Sequence, residues 1–271
     1  MQQAVDTAFI ANSALQGGGI YAKGADVSLL NSSFGWNAAQ STGGAVYVNA
    51  GSTLAITDSI FMNNTAGALG GAVAGEDSRL NVTGSVFGAN RAGSQGGGMF
   101  FSNGTFALQA STFANNSAAN GGGLYQNQGS GLISRCAFSG NRASQKGGAA
   151  LQNSVAANIQ NSTFADNRAA TSGGALFQST CASSIGFSVF KGNSAGAGAG
   201  GGVYLNNAVG NNIRACLFNG NQAPRQQGAA IYLNNSLPVV SGSVFNNSTS
   251  AGDAIASNSQ LTAPDTTRSG L

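Results

Sequence analysis

Several residue types are scarce or missing in this chain. Its 271 residues include no histidine, three prolines, three cysteines and only 7% charged residues, against about 25% in a typical soluble protein. Without histidine, a Ser-His-Asp triad and most zinc sites are excluded. The few prolines exclude a collagen helix, and the net charge of +3 is too low for a nucleic-acid-binding face. No apolar run reaches the ~18 residues of a membrane-spanning helix.

The abundant residues indicate an ordered chain of low charge. Hydrophobic residues make up 42% and glycine contributes 42 residues, so the chain is too apolar to be disordered. The start, residues 1–6, lacks the basic and apolar segments of a secretory signal. We therefore expect the sequence to be an excerpt of a longer protein.

Two motifs alternate in phase along the chain. The first is Phe-x-x-Asn, which occurs nine times from Phe9/Asn12 to Phe218/Asn221 with successive Phe residues 25 to 28 apart; Phe245 continues the series, but Ser248 replaces the Asn. The second is a glycine pair followed by a small and an aliphatic residue, as in Gly43–Val46, and it weakens at Gly228–Ile231 and Gly252–Ile255.

This repeat predicts a β-solenoid. Glycine pairs disfavour helical repeats by about 1 kcal/mol per Gly, whereas short alternating apolar runs between Gly/Asn turns are typical of strands. We predict a right-handed, single-stranded parallel β-helix of about ten coils of ~26 residues, with three short strands per coil. Residues 1–258 would form the β-helix and residues 259–271 a polar C-terminal tail.

Equivalent positions in successive coils should stack as columns. An aliphatic residue lies five before each Phe and a small residue two before it, which predicts a buried Phe stack. The Asn column is expected in a left-handed turn, with its amides bonded along the rod, and the glycine pair in a tight turn with positive φ. Gln126, Gln152 and Gln178 share one column and predict an amide ladder.

The paired motifs resemble the repeats of the chlamydial polymorphic outer membrane proteins, whose signatures are Gly-Gly-Ala-(Ile/Leu/Val) and Phe-x-x-Asn. The resemblance extends over residues 9 to 255; similar repeats occur in extracellular proteins of algae and protists. It implies a β-helical passenger exported to a cell surface, with an adhesive role. Because residues 264–271 are polar, we expect no direct membrane insertion.

Catalysis is not expected. The eight acidic residues are scattered, and only Glu76 and Asp77 are adjacent; we predict that these two lie in a solvated turn. We therefore expect no catalytic residues, no metal and no cofactor. Cys136, Cys181 and Cys216 are predicted to be free, mostly buried thiols, since Cys136 and Cys216 lie three coils apart.

An aromatic residue follows the aliphatic position of most glycine motifs and forms the candidate binding column. If Val46 faces inward, alternation places these rings outside, where they could bind a sugar or a protein. Alternatively the rings face inward, with the small residue two before them leaving space. The tyrosine hydroxyls favour the outward interpretation slightly. The column comprises Tyr21, Tyr47, Phe100, Tyr125, Phe177, Tyr204 and Tyr232.

Three arginines, Arg91, Arg142 and Arg168, directly follow ladder asparagines. Arg142 and Arg168 fall on adjacent coils, so they should repel each other unless they are solvated or share an anion. A solvated turn is the simpler interpretation.

These patterns predict a non-enzymatic, extracellular or cell-surface rod with a structural or adhesive role. Its partners would be proteins, or further copies of itself bound through the coil ends or a side face, with glycans as a further possibility and no nucleic acid. The alternative is a carbohydrate-binding or carbohydrate-processing β-helix of the pectin-lyase type.

Overall fold

The computed structural model describes residues 2–208, 210–224, 227–246 and 254–258. These residues form a parallel β-helix with three sheets and about 26 residues per coil, which confirms the predicted fold. The predicted tail, residues 259–271, lies outside the described residues, as do Ser248 and the first two residues, Gly252 and Asp253, of the last weakened glycine motif.

The first sheet is the largest and contains sixteen strands. Four of them are eleven residues long; in the other described coils a break divides the corresponding segment into shorter strands. The strands are Gln2–Val5, Ile20–Lys23, Asp26–Leu30, Val46–Asn49, Thr53–Thr57, Val73–Thr83, Met99–Gln109, Leu124–Ser134, Ala150–Gln160, Leu176–Ser179, Ser184–Gly186, Val203–Asn206, Asn212–Arg214, Ile231–Asn234, Val239–Ser241 and Ile255–Ser257.

The second and third sheets are built from shorter strands. The second sheet carries the Phe motif and consists of Ala8–Ile10, Ser33–Gly35, Ile60–Met62, Val86–Gly88, Thr112–Ala114, Ala137–Ser139, Thr163–Ala165, Val189–Lys191, Leu217–Asn219 and Val244–Asn246. The third follows the ladder Asn and consists of Ser13–Gln16, Ala38–Thr42, Thr65–Ala66, Arg91–Ala92, Ser117–Ala118, Arg142–Ala143, Arg168–Ala169 and Ser194–Ala195.

The Phe column forms the aromatic centre of the core, as predicted. Each Phe of the second sheet is paired in register with the Phe of the next coil, for example Phe61 with Phe87. Their ring centroids lie 4.8 Å apart with an interplanar angle of 2°. The aliphatic column, represented by Ile56 and Val82, is also buried, so both columns belong to one continuous core.

The Asn column forms a hydrogen-bonded ladder inside the coil. Asn90 donates from its backbone N and from Nδ2 to Asn116 Oδ1 at 2.9 and 3.0 Å. Its Nδ2 also donates to the backbone O of Phe61 at 2.9 Å. Because the next coil repeats these bonds from Asn116 to Asn141 and to Phe87, the predicted ladder is confirmed.

The prediction of a left-handed backbone at the ladder Asn itself is wrong. Positive φ falls on the residue before it, as at Asn63 (58°), Ala89 (53°) and Asn115 (56°). The preceding residue makes the turn, and this leaves the ladder Asn free to point its amide into the core towards the next coil.

The two glycines of each pair have different roles. The first has positive φ, as predicted; Gly70 has φ 62°. The second is required for space, because a Cβ placed on Gly71 would lie 2.0 Å from the backbone O of Gly97 in the next coil. Close contact between coils therefore depends on the absence of a side chain at this position.

Candidate functional site

The aromatic column lies on the outer face of the first sheet. Val46 is fully buried in the core, and Tyr47, the next residue in the same strand, belongs to a separate cluster with Ala74 and Phe100. Because successive strand residues point to opposite faces, the inward Val46 directs the Tyr47 ring outward.

The column is divided into three groups of stacked rings. Ala74 and Leu151 occupy it between the groups, as their register with Tyr47 and Tyr125 shows. The stacked pairs and their centroid separations are Tyr21–Tyr47 at 5.4 Å, Phe100–Tyr125 at 5.7 Å, Phe177–Tyr204 at 4.9 Å and Tyr204–Tyr232 at 5.2 Å.

The expectation of an open aromatic stripe is wrong for Tyr47, Phe100 and Phe177. These rings are only 4 to 6% exposed, whereas Tyr21 is 50% exposed. Stacking covers the ring faces, and Leu69, in the turn before a glycine pair, packs against the cluster of Tyr47, Ala74 and Phe100. Tyr125, Tyr204 and Tyr232 are half-buried, so they offer the accessible ring edges of the middle and later coils.

Tyr47 is held in a polar network. Its hydroxyl donates to Glu76 Oε2 on the next coil, and Asn49 Nδ2 donates to the Tyr47 hydroxyl oxygen at 3.1 Å. Burial, together with the hydrogen bond to Glu76, raises the pKa of Tyr47 to about 12. The predicted solvated turn is therefore wrong for Glu76, which lies within Val73–Thr83 and is bound to a side chain. Asp77, the next residue, is exposed and has a positive φ of 46°.

A row of polar side chains runs beside the aromatic column. Asn153 Nδ2 donates to Asn127 Oδ1 at 2.8 Å, and Asn127 Nδ2 donates to Ser102 Oγ at 3.4 Å. Asn206 Nδ2 donates to Ser179 Oγ in the same way at 3.0 Å. Sequence reasoning missed this outer amide row, although each member lies two residues after an aromatic-column position.

A cleft of about 320 Å³ lies between this row and the turns before the glycine pairs. Its walls include Tyr125, Leu151, Phe177 and Asn153. Lys146 places its Nζ 4.9 Å from the centre of the Phe177 ring, a cation–π contact. The cleft thus combines ring surface, amides and one cation.

The three arginines line the outside of the third sheet. Arg142 and Arg168 are register partners on adjacent coils, and Arg91 and Arg142 both pair with Ser117. All three side chains are exposed. The structure therefore brings Arg142 and Arg168 together, away from the aromatic column.

Two predictions about buried side chains are confirmed, the Gln ladder and the free cysteines. Gln152 and Gln178 each donate from Nε2 to the Gln of the preceding coil, at 2.5 and 2.7 Å, which confirms the ladder with Gln126. Cys136, Cys181 and Cys216 are free and buried, and burial raises the pKa of each thiol.

The described part of the chain contains no group of three or more His, Cys, Asp or Glu side chains arranged to hold a metal ion. Within the same residues there is no helix that could cross a membrane.

The stacked coils and their internal ladders define a solenoid repeat protein. Residues 97–267 match the family described as the right handed beta helix region. The match covers more than half of the chain, which therefore belongs to the right-handed β-helix family. No curated protein and no solved structure matches the chain.

Proposed function

We propose that this chain is a non-enzymatic, extracellular or cell-surface rod that binds proteins or cell surfaces through its sides. The proposal includes membership of the chlamydial polymorphic outer membrane protein repeat type, supported by the in-phase motifs over residues 9 to 255. Solenoids present extended faces for binding, and the scattered acidic residues favour binding over hydrolysis.

The observation that carries this proposal is the structured outer face of the first sheet. Aromatic side chains are enriched at protein interfaces because they supply large, rigid contact areas. Here Tyr125, Tyr204 and Tyr232 present ring edges beside an ordered amide row. This arrangement gives a partner both apolar surface and fixed hydrogen-bonding groups.

Self-association is a specific form of this proposal. Tyr125, Tyr204 and Tyr232 leave part of their rings accessible on the outer face of the first sheet. A second copy would bind by packing its own aromatic column against these rings.

The cleft beside Phe177 supports carbohydrate binding as the alternative. Sugar rings pack on aromatic and aliphatic surface while their hydroxyls bond amides, and the cleft provides both beside Lys146. A pectin-lyase-type activity would additionally require carboxylates or a metal.

The test compares the wild-type chain with the double variant Tyr125→Ala/Tyr204→Ala. Its matched control is Phe187→Ala, which removes an exposed ring at a different corner of the coil. Sedimentation velocity over a range of concentrations measures self-association. Affinity electrophoresis with neutral polysaccharides measures sugar binding, and an assay of newly formed reducing ends detects cleavage.

If copies bind through the aromatic face, the double variant should self-associate more weakly than the wild type, and Phe187→Ala should self-associate as the wild type does. Sugar binding lost in the double variant would favour the alternative, and new reducing ends would refute the non-enzymatic proposal. If the double variant behaves as the wild type in every assay, the aromatic face is not the contact surface.

A further inference from the structure

A groove of about 700 Å³ runs along the outside of the third sheet. The exposed side chains of Arg91, Arg142 and Arg168 line it. The position two residues after the arginine column carries only small residues, which leave a depression along the rod: Gly93, Ala119, Ser144, Ala170 and Gly196.

The arginines in this groove have no counter-charge. Within the described residues, none of the three guanidinium groups forms an ion pair or a side-chain hydrogen bond. The acid nearest in sequence, Asp166, is directed elsewhere: a Cβ placed on Gly192 in the next coil would lie 2.4 Å from its Oδ1. The groove is therefore a cationic surface without an internal anion.

The register places the positive charges at defined spacings along the rod. Arg142 and Arg168 are direct partners on adjacent coils, so their backbones lie about 4.8 Å apart. Arg91 is two coils from Arg142, a separation of about 10 Å. Since like charges directly opposite each other destabilise a strand pair, the Arg142–Arg168 pair has a cost that a bound anion would remove.

We propose that this groove binds a linear sulfated polysaccharide. Arg142 and Arg168 share one sulfate group, and Arg91 contacts another sulfate further along the same polymer. A single bidentate guanidinium occupies both oxygens of a carboxylate, whereas the three terminal oxygens of a sulfate ester can accept from two guanidinium groups. The polymer lies parallel to the rod axis, along the line of the arginines.

The groove differs from a nucleic-acid channel. Single-stranded nucleic acids are bound by positive grooves with aromatic side chains on which the bases stack. The described lining of this groove is arginine, serine, alanine and glycine, with no ring. The site also lies on a different sheet from the aromatic column, so it goes beyond the proposed function and does not depend on it.

The first test measures binding of the full chain to dextran sulfate, with uncharged dextran as the ligand control. Arg142→Ser and Arg168→Ser should each raise Kd about tenfold or more, equivalent to about 1.4 kcal/mol. Each should also reduce the slope of log K against log salt concentration by about one. Serine is a suitable replacement, because it occupies this column at Ser117 and Ser194.

Arg79→Thr is the matched control for net charge. It removes one positive charge from the first sheet at a position where both neighbouring coils carry threonine. We expect it to leave the affinity for dextran sulfate nearly unchanged. If it weakens binding as much as Arg142→Ser, attraction is a property of net charge and the groove is not the site.

A second test separates the polymer from a free ion. Inorganic sulfate should raise the Tm of the wild-type chain by binding the folded state, and this rise should shrink in Arg142→Ser and Arg168→Ser. Arg91→Ser should respond to inorganic sulfate as the wild type does, yet bind dextran sulfate more weakly.

If Arg91→Ser binds dextran sulfate as tightly as the wild type, the groove binds one oxyanion at Arg142 and Arg168 and does not follow a polymer. This result would overturn the polymer proposal. Tight binding of poly(dT) to the same arginines would show a nucleic-acid groove instead and would also overturn it.

Discussion

Removing one amide from the middle of the buried ladder should cost far more stability than removing one at its end. Asn116 is fully buried, and its Oδ1 accepts from both the backbone N and the Nδ2 of Asn90. Asn116→Ala removes this acceptor and leaves two buried N–H groups of Asn90 without a partner. Its other Nδ2 hydrogen keeps the bond to the backbone O of Phe61.

The magnitude follows from those two orphaned donors. A buried donor left unsatisfied costs about 1–3 kcal/mol, so two cost about 2–6 kcal/mol. Asn12, at the exposed end of the same ladder, gives the matched control. It donates to Asn37 Oδ1 at 2.8 Å, and no described residue donates to its side chain. Asn12→Ala loses only one net hydrogen bond, about 0.5–1.5 kcal/mol.

Urea denaturation followed by circular dichroism measures both variants against the wild type. The slope of each transition must be compared as well, because a weakened interface between coils can divide a solenoid into separately unfolding parts. If Asn116→Ala costs no more than Asn12→Ala, the ladder does not stabilise the rod through satisfied buried amides, and this explanation of the Phe-x-x-Asn motif is refuted.

Three further contacts are tested by substitution, the first of them with a matched control. Gly71→Ala should lower the free energy of unfolding by about 3 kcal/mol or more, because a Cβ at this position lies 2.0 Å from a backbone O. Gly35→Ala should change it by less than about 0.5 kcal/mol, because a Cβ there meets nothing within 4 Å. Thermal denaturation compares the two variants, and equal Tm values would contradict the steric explanation. Glu76→Gln should lower the pKa of Tyr47 from about 12, as followed by ultraviolet titration. Because the folded-state pKa is raised above the unfolded value of about 10, the associated stability is present below pH ~10 and is lost as pH rises towards ~12. In Glu76→Gln the loss should still begin near pH ~10, but it should be smaller and complete at a lower pH; an unchanged titration would show that Glu76 does not act on Tyr47. Cys136→Ser should change the free energy of unfolding by less than about 0.5 kcal/mol, since serine occupies most of its column; a larger loss in chemical denaturation would show that the thiol itself is required.

The inward half of the coil could be predicted from the sequence because its requirements repeat in every coil. Phe61 must stack on Phe87 in the next coil, and each ladder Asn must bond the next ladder Asn. The same residue type therefore returns every ~26 residues. A periodic requirement of this kind leaves a periodic sequence signal, which is why the Phe stack, the Asn ladder and the Gln ladder were all predicted from spacing.

The turns and the outer face were harder to predict for the opposite reason. The left-handed residue before a ladder Asn is at least partly exposed and varies from Asn63 to Ala89 and Trp36, so no single residue type marks it. Tyr47 stacks on Tyr21 and belongs to a buried cluster with Ala74 and Phe100, against which Leu69 of a neighbouring turn packs. Contacts of this kind join different columns, and a spacing within one column does not reveal them.

This contrast also indicates where function lies in the molecule. A substitution on an inward column disturbs the coils above and below it, because each buried amide bonds its counterpart in the next coil. Outward positions are less uniform: some bond their counterpart in the next coil, as Asn153 bonds Asn127, whereas the arginine column changes residue type from coil to coil. The residues that break the repeat on the outer surface, such as Arg142 and Arg168 among serines or Lys146 beside Phe177, are therefore not explained by the requirements of stacking. The aromatic cleft and the arginine groove are two such departures from periodicity on outward columns, and for this reason we propose the binding sites there.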